Sequence, residues 1–206
     1  WATVGLLFAR NREEMLDYSP KQRPSYDTDG LSPYPFITKG VGRDETDDPL
    51  HFGRSLLDQI AETEGQEIGT HTFSHYYCLE KGQNIEAFSA DIEAARAIAA
   101  NAGHTLKSIV FPRNQMTPAH IVAAACQGIT TYRGNPKSFA YRPRAGNENT
   151  LLVRGVRFLD GVVPVAGRLD FDRPQYDSGS VNVPASRFLR PYNSRLPLYS
   201  KAHLAH

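Results

Sequence analysis

Hydrophobic residues follow two alternating patterns along this chain. Short apolar runs with the length and composition of buried strands occupy residues 2–9, 66–72, 108–111 and 129–132. Between them, apolar residues recur every three or four positions, which is the period of an amphipathic helix. The clearest such helix is predicted from Ile85 to Ala102, with Asn84 as its N-cap and Gly103 as its stop. Strands that alternate with helices predict βα units around a parallel sheet.

A further helix is predicted before the strand at residues 66–72. The acidic run 44–48 precedes Pro49, and acids before a proline at the first helical position are typical of a helix start. This helix is predicted to run from Pro49 to the stop at Gly65. Its buried positions, spaced by four, are predicted to be Phe52, Leu56 and Ile60.

The remaining segments have weaker signals. Thr117 and Pro118 predict the start of a helix that ends at Gly128, and residues 10–16 predict a short one. Prolines and Gly30 predict irregular structure between residues 18 and 37. Beyond Asn135 only a helix at residues 148–159 and a short strand at 186–189 are predicted. We therefore expect a single domain over residues 1–206, less regular over 136–206.

Composition excludes several classes of protein. The 206 residues carry 23 Lys and Arg against 22 Asp and Glu, a formal net charge of +1, which does not suit a nucleic-acid-binding protein. With 40% hydrophobic residues the chain can bury a substantial core. Its apolar runs fall short of the ~20 residues of a membrane span, so no transmembrane segment is predicted. Composition leaves the oligomeric state open.

The two cysteines, Cys78 and Cys126, are too few for a disulfide scaffold, and we expect both to be free thiols. Free thiols favour a cytoplasmic location, although the compartment is not determined by the sequence. The chain opens on Trp1 directly before strand-like sequence, and we expect it to be incomplete at this end.

The most informative chemistry lies where the strand at residues 66–72 ends. His71 and His75 are four positions apart, so a helical turn would point both imidazoles to one side. Two neutral imidazoles suit a divalent metal, with Zn²⁺ the first choice, and leave room for a carboxylate and a water. The spacing alone also occurs in surface pairs and hydrogen-bonded core pairs, so both interpretations stay open at this point.

Residues 65–75, Gly-Gln-Glu-Ile-Gly-Thr-His-Thr-Phe-Ser-His, resemble the His-[Ser/Thr]-x-x-His motif and its lead sequence in the polysaccharide deacetylase family of carbohydrate esterases. The resemblance covers about residues 1–135. It implies an α/β fold of the distorted or partial (β/α) barrel type. It also implies a divalent metal held by His71, His75 and an aspartate, with a second aspartate as the base. The implied reaction removes acetyl groups from an N-acetylated saccharide.

Other site residues are assigned through the same resemblance. Arg113, in the Phe-Pro-Arg segment after the third strand, is expected to orient the catalytic base. Asn114 and Thr72 are expected to contact substrate, and Tyr77 is expected to stack on a sugar ring or to belong to the core.

The chain also departs from the family pattern. The Thr-Phe-Asp-Asp-Gly motif that supplies both aspartates is absent, and we expect it upstream of Trp1, so that this polypeptide alone would bind metal weakly. The aspartates at positions 27, 29, 44, 47 and 48 lie in loop or helix-start sequence and are poor substitutes. The late family histidine has only a poor counterpart in His206.

Two alternatives remain from the sequence. One is a noncatalytic carbohydrate-binding module that keeps the fold without the chemistry. The other is a relative that hydrolyses non-sugar C–N bonds with the same metal site. Substrate-facing loops, above all the insertion at residues 18–48, would decide between substrates.

Overall fold

The computed structural model describes residues 1–136, 138–148, 150–160 and 174–185, with the single positions 163, 165, 197, 198, 200 and 201. The predicted strand at 186–189 and His206 lie outside the described residues. Six strands form one sheet in the order β1-β2-β3-β4-β6-β5, and all neighbours are parallel except the antiparallel pair β5 and β6. The strands are β1 (Ala2–Thr3), β2 (Gly69–Thr70), β3 (Ser108–Ile109), β4 (Thr131–Gly134), β5 (Gln175–Asp177) and β6 (Ser180–Pro184). The α/β class is thereby confirmed.

Helices connect the parallel strands. They are α1 (Arg12–Asp17), α2 (Tyr34–Lys39), α3 (Arg54–Glu62), α4 (Ile85–Asn101), α5 (Pro118–Cys126) and α6 (Leu151–Asp160). Short 3₁₀ turns occupy Gly5–Phe8, Pro112–Asn114, Phe139–Tyr141 and Gly146–Glu148. In the described part of the chain, none of the helices is long and apolar enough to cross a membrane.

Helix α4 forms as its sequence predicts. Asn84 caps it by accepting a hydrogen bond from the backbone N–H of Ala87 at 2.7 Å. Phe88 and Ile92 lie on its buried face, where both are fully enclosed. Gly103 follows the helix with φ +85°, a left-handed conformation that glycine adopts without strain.

Helix α3 differs from its prediction. It begins at Arg54 and not at Pro49, and its buried residue is Leu57, whereas Leu56 is 57% exposed. The acidic run forms a turn instead, in which Asp48 accepts from the N–H of Gly42 and Asp44 accepts from two N–H groups downstream. These aspartate side chains satisfy local backbone donors, and that competes with helix formation.

Strands are shorter than the apolar runs that predicted them. The run 2–9 contributes only β1 before the chain turns at Gly5, whose N–H donates to the carbonyl of Thr72 at 2.8 Å. A Cβ atom at Gly5 would lie 2.8 Å from the Cα atom of Phe73. The strand therefore ends where the backbone at Gly5 comes close to the segment after β2. The apolar content of the sequence does not encode this contact.

Three elements differ from or go beyond the sequence predictions. Helix α2 occupies residues 34–39, so the prediction of irregular structure up to residue 37 is wrong at its end, because proline is tolerated in a first helical turn. Strands β5 and β6 are joined by Ser178 and Gly179, both with positive φ, which is the conformation of a tight hairpin turn. This hairpin extends the sheet beyond β4.

The two faces of the sheet differ in exposure. Thr70, Ile109 and Tyr132 are paired in register across β2, β3 and β4, and all three are buried. Side chains alternate along strands, so residues one position further point to the opposite face. These are His71, Val110 and Arg133, and none of them is buried. That accessible face, at the carboxyl ends of the parallel strands, is where ligand sites gather in α/β proteins.

Two further features of the core concern side-chain chemistry. Cys78 is buried, Cys126 is exposed, and both are free thiols, as the sequence predicts. His120 is a buried histidine of α5 that faces the loop after β2. Its Nδ1 lies 2.7 Å from the hydroxyl of Thr117, and its Nε2 lies 3.2 Å from the amide oxygen of Gln83. Burial lowers the pKa of His120 to about 4.

The register of α3 can be tested with adjacent leucines. Leu57→Ala should lower the free energy of unfolding by about 2–5 kcal/mol, because it opens a cavity in the core. Leu56→Ala should change it by no more than about 0.5 kcal/mol, since that side chain is exposed. Urea denaturation measures both, and equal losses would contradict the observed register.

His120 should make stability depend on pH. The pKa of His120 is lower in the folded protein than in the unfolded chain. Between about pH 6.5 and pH 4 the unfolded chain therefore binds more protons than the folded protein, and the free energy of unfolding falls as the pH falls. His120→Gln should show a smaller loss of unfolding free energy between pH 7 and pH 5 than the wild type. An identical pH dependence in the two proteins would show that His120 is not the group responsible.

Candidate metal-binding site

The structure brings His71 and His75 together. Their ring centroids are 4.8 Å apart with an interplanar angle of 66°. His71 directly follows β2, and its backbone N–H donates to the carbonyl of Thr3 at 2.8 Å, so the adjacent strand fixes its position. Both rings therefore lie on the same side of the backbone, as metal binding requires.

The tautomer of His71 is fixed by the neighbouring strand. Its Nδ1 lies 2.6 Å from the carbonyl oxygen of Val110, which can only accept a hydrogen bond. Nδ1 therefore carries the proton, and in the neutral ring Nε2 keeps its lone pair. A backbone carbonyl that holds the second ring nitrogen is the usual support of a histidine metal ligand.

Partial burial favours the neutral form of both rings. It lowers the pKa of His71, with a further contribution from the positive charge of Arg133, although the bond to Val110 acts in the opposite direction. Partial burial, with smaller contributions from the neighbouring His71 and from the positive charge of Arg113, lowers the pKa of His75 to about 4. Neutral imidazoles are the form that binds metal ions.

Two loops at this edge of the sheet have unusual backbone conformations. Five non-glycine residues in the described part of the chain have positive φ, and four of them lie here: Thr72 (66°), His75 (60°), Arg113 (53°) and Asn114 (53°). Each left-handed residue costs about 1–2 kcal/mol relative to a right-handed one. Such residues persist only where surrounding contacts hold them, and they cluster at functional sites.

Asp91 of α4 holds the loop that carries both histidines. Its carboxylate accepts from the N–H of Phe73 at 2.6 Å, from the N–H of Ser74 at 3.4 Å and from the hydroxyl of Ser74. Asp91 is 1% exposed, and this burial raises its pKa to about 6 even though the three bonds favour the ionised form. The backbone between His71 and His75 is thus anchored to the longest helix.

Thr72 lies inside this loop. It is fully buried, and its hydroxyl accepts from the N–H of Tyr76 at 2.7 Å. The sequence assigns Thr72 to substrate contact, and in this structure its hydroxyl is engaged in shaping the loop.

Arg113 lies beside the histidine pair, after β3. Its Nη1 donates to Glu80 at 3.2 Å, and its guanidinium carbon is 4.2 Å from the ring centroid of Tyr77. The Tyr77 ring is in turn 5.0 Å from the ring of His75. The structure therefore brings Arg113, Tyr77 and His75 into one contiguous group, with one face of the tyrosine covered by the guanidinium.

Glu80 joins three segments around this group. A single oxygen, Oε1, accepts from Arg113, from the amide of Gln115 at 3.0 Å and from the N–H of Gly146 at 2.7 Å. Gln115 is fully buried, and its amide oxygen accepts from the N–H of Leu79 at 3.2 Å. Glu80 and Gln115 thus connect the loops after β2 and β3 to residues 139–148.

Asn114 is engaged by the next strand. Its side-chain oxygen accepts from Nη2 of Arg133 at 2.7 Å, and its carbonyl accepts from the side-chain amide of Asn135 at 2.9 Å. Asn114, which the sequence assigns to substrate contact, therefore lies at the carboxyl edge of the sheet, where its side chain orients Arg133.

The insertion at residues 18–48 reaches the same edge. The hydroxyl of Tyr26 accepts from the N–H of Tyr77 at 2.8 Å, and the N–H of Ser25 donates to the carbonyl of Gly82 at 2.9 Å. A Cβ atom at Gly82 would lie 1.8 Å from the Ser25 carbonyl oxygen, so only glycine permits this approach. The insertion is thereby fastened to the histidine-bearing loop.

A third protein ligand does not join the pair within the residues that the structure describes. No cluster of three or more His, Cys, Asp or Glu side chains able to hold a metal ion occurs there. The nearby carboxylates have other partners: Asp91 bonds the loop backbone, and Glu80 bonds Arg113. Asp47 and Asp48 bond the backbone of their own turn.

Sequence reasoning missed Asp91, Glu80 and Gln115. A signal for Asp91 was present, because it interrupts the apolar face of α4 between Phe88 and Ile92. A carboxylate on a buried helix face must find hydrogen-bond donors. Glu80 and Gln115 had no comparable signal, since their burial arises from loops that meet only in the folded chain.

Comparisons with protein-family models, curated proteins and solved structures found no match.

Removing the Asp91 carboxylate should release the histidine-bearing loop. Asp91→Ala leaves at least two buried donors, the N–H of Phe73 and the hydroxyl of Ser74, without an acceptor. Each unsatisfied donor costs about 1–3 kcal/mol, so the free energy of unfolding should fall by at least about 2 kcal/mol. Ser74→Ala should cost about 1 kcal/mol, since it removes one bond. Glu93→Ala, an exposed acid on the same helix, is the matched control. Equal effects at positions 91 and 93 in urea denaturation would contradict this role.

Proposed function

We propose that this chain carries the histidine side of a divalent metal site in a metal-dependent hydrolase that removes acetyl groups from an N-acetylated saccharide. The observation that carries the proposal is the His71–His75 pair at the carboxyl end of β2, with Nδ1 of His71 held by the Val110 carbonyl. The distorted or partial (β/α) barrel of the polysaccharide deacetylases is part of this proposal. The parallel order of β1 to β4 supports it.

The residues present suit a zinc-type ion in their donor chemistry. Two neutral imidazoles, one with its tautomer fixed, are typical Zn²⁺ ligands. A complete site also needs a carboxylate ligand, and neither Asp91 nor Glu80 can supply it because both are bonded to other groups. A bound divalent ion would acidify a water molecule and polarise the acetamide carbonyl. His71 and His75 would hold the ion through their unprotonated nitrogens.

Arg113 would act as a positioning residue in this site. Its contacts with Glu80 and Tyr77 fix the guanidinium beside His75, where a charge-assisted bond can orient a carboxylate base. Tyr77 supplies an aromatic wall next to the pair, and such walls suit the apolar face of a pyranose.

Metal binding tests the proposal directly. The wild-type chain should bind one Zn²⁺ per molecule, weakly because the pair lacks its carboxylate, as measured by calorimetry or by competition with a chelating dye. His71→Ala and His75→Ala should each weaken binding by at least about tenfold, because even loss of a residue that supports a ligand costs about 10–100-fold. His51→Ala, which removes a histidine paired with Asp48 in the acidic turn, should leave binding unchanged.

When a carboxylate ligand completes the metal site, His71→Ala and His75→Ala should also lower acetate release from N-acetylglucosamine oligomers, and His51→Ala should not. Equal Zn²⁺ affinity in the wild type and His71→Ala would overturn the metal site. Acetate release that survives metal removal would overturn the hydrolytic mechanism. Metal and oligosaccharide binding by a complete site without acetate release would favour the noncatalytic alternative.

A further inference from the structure

One charged residue of the accessible sheet face has no acidic partner among the residues that the structure describes. Arg133 occupies β4 one position after the buried Tyr132, in the row that also contains Val110 and His71. Its only described side-chain bond is to the neutral amide of Asn114, at 2.7 Å. No carboxylate in the described part of the chain lies within ion-pair distance of it.

The other guanidinium at this edge is different. Arg113 has an acidic partner, since Glu80 lies 3.2 Å away, and the Tyr77 ring lies beneath it. In the described part of the chain, Arg113 therefore has a compensating carboxylate and Arg133 has none, and both lie beside the two imidazoles.

Arg133 is also held in place and partly removed from water. Partial removal from water lowers the pKa of Arg133 from the ordinary arginine value, and the Asn114 bond fixes one end of the guanidinium. Asn114 is in turn fixed by Asn135. A partly desolvated guanidinium with donors left over is the residue of choice for a carboxylate or phosphate, which it binds through two parallel hydrogen bonds.

We propose that Arg133 binds an anionic group of the saccharide, so that the preferred substrate is an acidic N-acetylated saccharide. This inference rests on the proposed function for the acetylated end of the ligand. Strands β2 and β4 are two strand spacings of about 4.8 Å apart, which places Arg133 about 10 Å from the histidine strand. The anionic group therefore belongs to the acetylated sugar or to the adjacent unit. Its source is a carboxylate or a phosphate.

Calorimetric titration with two matched oligosaccharides tests the inference. One is a tetrasaccharide of alternating N-acetylglucosamine and glucuronic acid, and the other is the neutral N-acetylglucosamine tetramer. The wild type should bind the acidic one about tenfold more tightly, as expected for hydrogen bonds to a charged group. The preference should weaken as salt is added.

Three variants identify the residue responsible. Arg133→Gln should abolish the preference for the acidic oligosaccharide while leaving affinity for the neutral one unchanged. Asn114→Ala should reduce the preference, because it frees the guanidinium. Arg96→Gln, at an exposed arginine of α4, should keep the full preference. Circular dichroism and thermal midpoints establish that each variant is folded.

Competition distinguishes the two anion sources. If free glucuronate displaces the acidic tetrasaccharide more readily than inorganic phosphate does, the site takes a carboxylate; the reverse order identifies a phosphate. Failure of the wild type to bind the acidic tetrasaccharide, glucuronate or phosphate would overturn the inference. A preference that survives in Arg133→Gln would overturn it as well.

The outcome is separable from that of the proposed function. Suppose that Zn²⁺ binds the wild type and not His71→Ala, while the wild type shows no preference for the acidic tetrasaccharide. That result would overturn this inference and leave the metal site intact. An acidic preference that depends on Arg133 in a protein that binds no metal would remove the metal site and leave the anion site.

Discussion

The candidate site depends on a buried carboxylate. Asp91 accepts hydrogen bonds from the backbone between His71 and His75, and it does so from the middle of the longest helix. A loop with left-handed residues at both Thr72 and His75 is unfavourable by itself, and these bonds compensate for that cost. The two imidazoles are therefore positioned by the packing of α4 against the sheet, and the same core stabilises both fold and site.

Charge is distributed unevenly at the carboxyl edge of the sheet. Two arginines lie near two imidazoles whose neutral form is favoured by partial burial, and the one described acid among them, Glu80, is bonded to Arg113. Positive charge there disfavours a cation until an anionic ligand is added. A carboxylate that completes the metal site and an anionic substrate at Arg133 would each offset this repulsion, so metal and substrate binding should support one another.

Much of the architecture could be predicted because it follows from local rules. Helix α4 obeys its cap, its apolar period and its glycine stop, and the strand–helix alternation led correctly to a mainly parallel sheet. The errors occurred where side chains competed with that pattern. The aspartates of the acidic run before α3 accept hydrogen bonds from the backbone of their own turn, and the helix therefore begins only at Arg54. The run at residues 2–9 ends its strand early, because Gly5 approaches the backbone of Phe73.

The sequence by itself determined the residue types of the site and their order: a histidine pair four apart after a buried strand, and an Arg-Asn pair after the next one. Those features depend only on spacing along the chain. The tertiary structure alone decided which groups meet, since Val110, Glu80, Gln115 and Arg133 come from segments far apart in sequence. Their roles follow from strand register and loop contacts, and no periodicity of the sequence encodes those distances.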